Sequence, residues 1–546
     1  MSKNSKKLIL IKLGIYSLFL ASLFKQILWM GLTPLWHFPD EESHFAQIQN
    51  TVEFGLNYPK VTSKEIAISD KLLGLNHNQK NINTFVTNPE HKIQYSRTLK
   101  GLYEDEIKNL PKGFSPSNQL KLITDYPFLY YGLSGLGYFP LKSANLITRV
   151  FAMRFVSVLI FLATVWLSYK IGEIVFGKKS SWALCLALLV SFQPMVSYMG
   201  AAVNSDNLLV LLFTLLIYGC LLVLNLNRVK GWVFIAGSLI LGMVTKQQMA
   251  IGFLVALPLA LHATTKSKRK HWEKRKVILY SLVSFLILVS VGYLGNIGRL
   301  FTFVGISGVE RLLSNLFSPD LPVYVSATLI KTYREILPWY WGTFRWMHVT
   351  LPRWTNRLLM GLVAASLTGV GMQIFDVVIR FRKKQGLTYS QQSALFFLFA
   401  SVIYYLSLVF WDYSHYREHG VSFGLQGRYF FPVIAAHMGL ILIGVRQLIR
   451  FFKKDENFLL GALGGWWVIL QLVGLHTLAA TYYDLSSASS FIIQASQYKP
   501  AIFKGWWWFI WVGLFMASTL IFTFKFLRHL WFNRGKQLKL DIGFER

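Results

Sequence analysis

Directly after a hydrophobic run, the sequence reads His37-Phe38-Pro39-Asp40-Glu41-Glu42-Ser43-His44, three carboxyl groups and two imidazoles within eight positions. A positioned carboxylate can take the proton of an acceptor hydroxyl, the work of a general base. If a helix restarts after Pro39, Asp40 and His44 lie four apart on one face. The plainer role for Asp40 is to cap a helix beginning at Glu41. A cap does not require so many ionisable groups at the edge of an apolar segment. Asp40 is therefore the candidate base, with Glu41 and His44 tuning or orienting it.

A second set of residues suits an anion. Arg428, in Phe423-Gly424-Leu425-Gln426-Gly427-Arg428-Tyr429-Phe430-Phe431-Pro432, follows a glycine and opens an apolar segment. Its planar fork matches phosphate, and the start of a helix adds a favourable dipole; the plain alternative is anchoring in lipid headgroups. Lys246 lies in a short turn between apolar segments, where it either meets a phosphate or snorkels to headgroups. Arg149 and Arg154 flank one end of another apolar segment and could meet headgroups or an anionic lipid. Asp206 follows Asn204 and Ser205 at the start of a further one, as a second carboxylate or as part of a cap. His415, Arg417, Glu418 and His419 read as surface charges, and the histidines are too scattered for a metal site.

These residues need a frame, and composition supplies it. The chain of 546 residues is 53% hydrophobic and only 15% charged, against about 25% charged in soluble domains. This is an all-α integral membrane protein. The net charge of +31 sits in short runs between apolar stretches, such as Lys178 with Lys179, Arg380 through Lys384, and Arg450 with Lys453 and Lys454. That is the positive-inside pattern, and it excludes a nucleic-acid partner. Two cysteines, Cys185 and Cys220, both lie in apolar segments and exclude a disulfide framework.

About twelve spans are expected, at 8–31, 146–176, 181–199, 206–226, 231–245, 249–264, 277–296, 357–379, 391–411, 428–449, 457–480 and 505–526. The chain then divides into a first span (1–31), a long outer loop (32–145), spans two to seven (146–296), a second outer loop (297–356), and spans eight to twelve (357–546). The last part carries outer loops at 412–427 and 481–504 and a cytoplasmic tail. Both termini fall in the cytoplasm and every candidate residue falls outside. Tyr126 through Pro140 is apolar but too short to span, and reads as an interfacial helix. There is no repeat, Walker loop or dinucleotide fingerprint, which disfavours an ATP-driven pump.

Several segments together resemble a bacterial family of membrane proteins related to the GT-C glycosyltransferases. They are Phe38-Pro39-Asp40-Glu41 with His44-Phe45, Tyr126 through Tyr130, Ala202 through Asp206, Phe344-Arg345-Trp346 with Leu351-Pro352, and Gln426-Gly427-Arg428-Tyr429-Phe430. Phe38 stands where a second proline is the commoner form. The resemblance implies a GT-C-like enzyme of the bacterial cytoplasmic membrane. It would move a sugar from a polyprenyl-phosphate donor to a glycan or lipid acceptor outside. Asp40 would be the catalytic carboxylate, in an inverting transfer. Arg428, Lys246, Arg154 and Arg149 would hold the phosphate, and Asp206, Gln426 and Tyr429 would line the substrate. No cofactor is firmly implied; a divalent metal between Asp40 and Asp206 is compatible but not required. The alternatives are a lipid-linked sugar flippase or exporter, whose charges would sit nearer mid-membrane, and a polysaccharide polymerase or ligase using a pyrophosphate-linked oligosaccharide.

Overall fold

The computed structural model describes residues 3–55, 61–75, 93–112, 115–121, 126–226, 229–266, 310, 313–345 and 348–541. Helix α1 (Lys3–Leu32) leads into the acidic segment and α2 (Glu41–Phe54). The rest of the segment before residue 146 holds β1 (Val61–Ser63), α3 (Lys64–Leu72), α4 (Glu104–Lys108), β2 (Pro116–Lys121) and α5 (Leu129–Tyr138). Strands β1 and β2 pair antiparallel with a bulge after Val61. On α5, Tyr130, Tyr131, Ser134 and Tyr138 turn inward while Leu133 and Leu136 are exposed.

The bundle continues with α6 (Leu146–Phe176), α7 (Ser181–Ser191), α8 (Pro194–Gly200), α9 (Asp206–Leu226), α10 (Lys230–Met243) and α11 (Ile251–Lys266). After α12 (Leu321–Lys331), a π-helical turn at Thr332–Ile336 and α13 (Leu337–Trp341), a two-residue hairpin of β3 (Thr343–Phe344) and β4 (Val349–Thr350) leads to α14 (Arg353–Arg382). Then follow α15 (Tyr389–His419), a 3-10 turn at Gly427–Val433, α16 (Ile434–Phe451), α17 (Glu456–Tyr482), α18 (Ala488–Ala495) and α19 (Trp507–Asp541).

The span expected at 277–296 lies outside the described residues, and each of the others falls on a helix. Among the described residues, eight helices are long and apolar enough to cross a membrane, or nine if one bent pair counts as a single span. The expected dozen is thus not the number observed. Lys230–Met243 and Gln247–Leu259 are apolar but short, against the roughly 20 residues a bilayer core requires. The bent pair is α7 with α8, expected as one helix and broken by 64°. Pro194 has no N–H to give and starts the second piece. The buried Lys25 ammonium donates to the freed carbonyl of Ser191 and to Ser197 Oγ (3.0 Å).

Two ends decide where the site falls. Helix α1 stops at the residues before Pro34, which disfavours helical backbone ahead of it, and its last carbonyls are buried. Arg154 donates to Met30 O (3.0 Å) and Thr33 O (2.8 Å), Tyr483 Oη to Leu32 O (2.7 Å), and Lys499 to Gly31 O and to Thr33 O (3.1 Å). Three side chains from distant segments thus satisfy a helix end that water does not reach. Helix α15 runs on through Asp412 and His415 to a left-handed Gly420 (φ 73°). The outer loop expected at 412–427 therefore shrinks to 420–426. Helices α14 and α16 approach backbone to backbone, because a Cβ on Gly369 or Gly444 would strike the opposing chain. Only 22% of the apolar window of α14 is buried, against 72% for α9, so α14 is peripheral and α9 central.

Candidate functional site

The acidic segment is held by a pair that leaves nothing to spare. Arg154 donates through Nε to Glu41 Oε1 (2.7 Å) and through Nη2 to Glu41 Oε2 (2.6 Å). Its remaining N–H groups go to Met30, Thr33 and Pro34 carbonyls (2.8–3.0 Å). All five donors are used, and both side chains are fully buried. Arg154 therefore has no N–H to spare, and both Glu41 oxygens are engaged, Oε2 also accepting from Trp36 N (3.2 Å). Arg149 is also engaged within the chain, through four of its five N–H groups. It forks onto Glu65 (2.9 and 2.5 Å) and donates to Tyr138 Oη (2.7 Å) and Ala144 O (3.0 Å). Both arginines of α6 staple the segment between α1 and α6 to the bundle.

Asp40 sits just ahead of α2 in left-handed backbone (φ 59°, ψ 19°) and makes no side-chain capping bond. The capping role that its position suggested is thus absent. A non-glycine residue in this region is strained, and here the strain turns the carboxylate toward Arg428, whose Nη2 donates to Oδ2 at 3.1 Å. Asp40 retains 26% side-chain exposure, against 7% for Arg428.

Arg428 arrives on the 3-10 turn, not on an α-helix start, so the expected dipole contribution falls away. Gly427 is needed for closeness and not for flexibility: a Cβ there would strike the backbone of Trp339 and Tyr340. The guanidinium lies beside the Tyr429 ring (5.4 Å) and hydroxyl. Its Nε and Nη1 are buried without a hydrogen-bond partner, a costly state for a charged donor. Gln426 leads the turn, and its carbonyl accepts from Tyr429 N (3.1 Å).

Lys246 and Asp206 form the second ion pair, both largely buried. Asn204 Oδ1 accepts from Asp206 N (2.8 Å), so the capping task at α9 falls to Asn204 and leaves the Asp206 carboxylate to the lysine. Burial would lower the pKa of Lys246, but Asp206 outweighs it and raises the value above the ordinary lysine range. The ammonium also lies over the Tyr126 ring (4.5 Å). Asp206, Arg428 and Phe431 line one small cavity of about 20 Å³.

His44 completes the group. Its Nδ1 shares a hydrogen bond with Tyr131 Oη (2.8 Å), and its ring stacks between Tyr131 and Tyr126. Burial pushes its pKa down to about 4, with Asp40 opposing, so it is neutral near pH 7. Sequence reasoning missed Tyr126 and Tyr131 as parts of the site, although both lie in a segment already singled out as interfacial. It missed Lys499 altogether: a lone lysine between apolar segments carries no local sign of contacting a helix end more than 460 positions away.

The arrangement brings two cations and two carboxylates to one place from four separate segments. It can hold a phosphate on Arg428 and Lys246 while Asp40 faces a hydroxyl. Among the described residues, no three His, Cys, Asp or Glu side chains converge as metal ligands.

A family model described as a predicted membrane protein (DUF2142) matches residues 23–436, a range that includes both Asp40 and Arg428. No curated protein matches. Among solved structures, ArnT from Cupriavidus metallidurans in the apo state is 12% identical, with a TM-score of 0.40, over 98% of this chain and 78% of that one. ArnT bound to undecaprenyl phosphate gives 12% and 0.41 over the same shares. The oligosaccharyltransferase AglB from Archaeoglobus fulgidus, in complex with an inhibitory peptide and a dolichol-phosphate, gives 12% and 0.44 over 86% of this chain and 56% of that one. At such scores the likeness is a loose one of helical arrangement.

Proposed function

We propose that this chain, which belongs to the DUF2142 family of predicted membrane proteins, is a GT-C-type glycosyltransferase acting on a polyprenyl-phosphate-linked sugar at the outer face of the cytoplasmic membrane. The observation that carries the reading is Arg428: buried, bonded to Asp40 through one nitrogen, and left with two unpartnered donors. A phosphate oxygen satisfies those donors with charge-assisted bonds.

In this reading the acceptor hydroxyl oxygen attacks the anomeric carbon from the side opposite the phosphate, and the bond from that carbon to the phosphate oxygen breaks. The proton passes to Asp40 and the electron pair to the leaving polyprenyl phosphate. The leaving group departs more negative than the diester it came from. Arg428 and Lys246 oppose that charge where it builds, which lowers the barrier without reorganisation. His44, neutral and fixed by Tyr131, orients groups near Asp40 without adding a charge. Glu41 and Arg154 act at a distance, by fixing the backbone that aims Asp40.

The test is transfer by purified protein in detergent, from a polyprenyl-phosphate sugar to a hydroxyl acceptor with no bilayer present. A transferase works there, whereas a flippase has no reaction without two compartments. Absence of transfer across a broad donor panel, together with lipid-sugar translocation in vesicles, overturns the proposal.

A further inference from the structure

A helix ending at residue 411 would leave His415 and His419 scattered in a loop. Because α15 runs on to His419, the two lie four residues apart on one face, one turn above the other. Their rings stack, with centroids 4.3 Å apart and planes 16° apart. Each ring is also fixed by a backbone bond. His415 Nδ1 meets Val421 O at 3.0 Å, and His419 Nδ1 meets His415 O at 3.2 Å. A carbonyl oxygen only accepts, so both Nδ1 atoms carry the proton and each neutral imidazole keeps its lone pair on Nε2. Among the described residues neither Nε2 has a partner. A ring that spends Nδ1–H on a carbonyl and offers Nε2 is the arrangement in which histidine meets a metal.

The surroundings favour a cation. The pair stands in the last turn of α15, at the negative end of the helix dipole. Glu418 shares that turn, while Arg417 is drawn away onto Ser318 Oγ (2.6 Å) and Asp320 (3.8 Å). Phe423 packs at 75° on the His415 ring (5.6 Å) and also on Trp411 (4.7 Å). One imidazole is thus braced before any ion arrives, which lowers the cost of binding.

We propose that His415 and His419 clamp a divalent transition-metal ion, such as Zn²⁺, between their Nε2 atoms. Imidazole nitrogen suits Zn²⁺, Ni²⁺ or Cu²⁺, whereas Mg²⁺ and Ca²⁺ take oxygen ligands. Two protein ligands leave the other positions of a tetrahedral shell to water or a further ligand. The ion joins the last turn of α15 to Val421, whose carbonyl His415 holds. It thereby fixes the head of the loop that leads to Arg428. The inference does not depend on sugar transfer.

The test is calorimetric titration of the untagged full chain in detergent with Zn²⁺. One saturable equivalent is expected, unaffected by excess Mg²⁺. It should be lost in His415→Ala and in His419→Ala, and kept in His348→Ala, which removes an exposed histidine elsewhere. The double variant Tyr416→His with His419→Ala keeps the number of histidines but places them on adjacent positions that do not face each other. It should bind no better than His419→Ala. In the parent, Zn²⁺ should also shield His415 and His419, but not His348, from diethyl pyrocarbonate, as read by peptide mass spectrometry. That readout requires no variant to fold. Absence of saturable binding, a bound equivalent that survives either alanine variant of the pair, or equal modification of the pair with and without Zn²⁺ overturns the site.

Discussion

Arg428 Nη2 reaches Asp40 Oδ2 at 3.1 Å across 388 positions of sequence, joining the residue ahead of α2 to the 3-10 turn ahead of α16. Neither residue is placed by its own segment alone. Asp40 is aimed by a strained backbone, which the Glu41–Arg154 pair and the tied end of α1 hold in place. Arg428 is pressed inward by a glycine that fits against Tyr340.

The staple beneath Asp40 gives the first prediction. Arg154→Met leaves Glu41 buried and unpaired, so stability falls by about 3–5 kcal/mol. Glu41→Gln, which can still accept from the arginine, falls less. Thermal unfolding in detergent, followed by size-exclusion chromatography, measures both. Equal stability of Arg154→Met and the parent would contradict the staple.

A second prediction concerns Gly427, which touches no substrate in this account. Gly427→Ala should shift the turn away from Tyr340 and weaken donor binding while the protein stays folded. Calorimetric titration with polyprenyl phosphate checks it. Unchanged affinity would show that the close approach does not set the position of Arg428.

Acid stability carries the third. His44 is held neutral down to about pH 4, whereas an unfolded histidine takes a proton near 6.5. Its contribution is therefore fully present above about pH 6.5 and is lost as pH falls toward 4, by about 3 kcal/mol at most. His44→Phe should flatten this limb of the stability curve between pH 7 and 4. An unchanged limb would mean that another group governs it.

Much of the frame was readable because hydrophobic runs and basic clusters are local signals. Helix positions such as 146–176 and 206–226 needed nothing from elsewhere in the chain. Three kinds of feature were not legible. Arg154 and Lys246 look alike in sequence, as cations beside apolar runs, yet Arg154 is saturated by Glu41 and three carbonyls while Lys246 stays beside Asp206. Glu41 looked as reactive as its neighbour Asp40 because its partner, Arg154, lies 113 positions away and leaves no local sign. The extension of α15 to His419 depended on a left-handed Gly420, which composition alone does not reveal.

Membrane orientation gives the fourth prediction. Cys185 and Cys220 are buried, so background labelling is low. New cysteines at Ser318 and Ser487 should react with a membrane-impermeant thiol reagent applied from outside, and those at Lys383 and Lys454 should not. The reverse pattern would place Asp40 and Arg428 on the cytoplasmic side.

The central claim, that Arg428 holds a lipid phosphate while Asp40 takes a proton, is tested most directly by measuring donor affinity and turnover together in three proteins. The parent should bind a polyprenyl-phosphate sugar and transfer it. Asp40→Asn should bind it comparably and turn over about 10²–10⁴-fold more slowly. Arg428→Ala should bind about ten- to a hundred-fold more weakly and also slow turnover, with Arg428→Lys partly restored by charge without the fork. Near-parental turnover by Asp40→Asn, or parental affinity in a folded Arg428→Ala, would contradict the account.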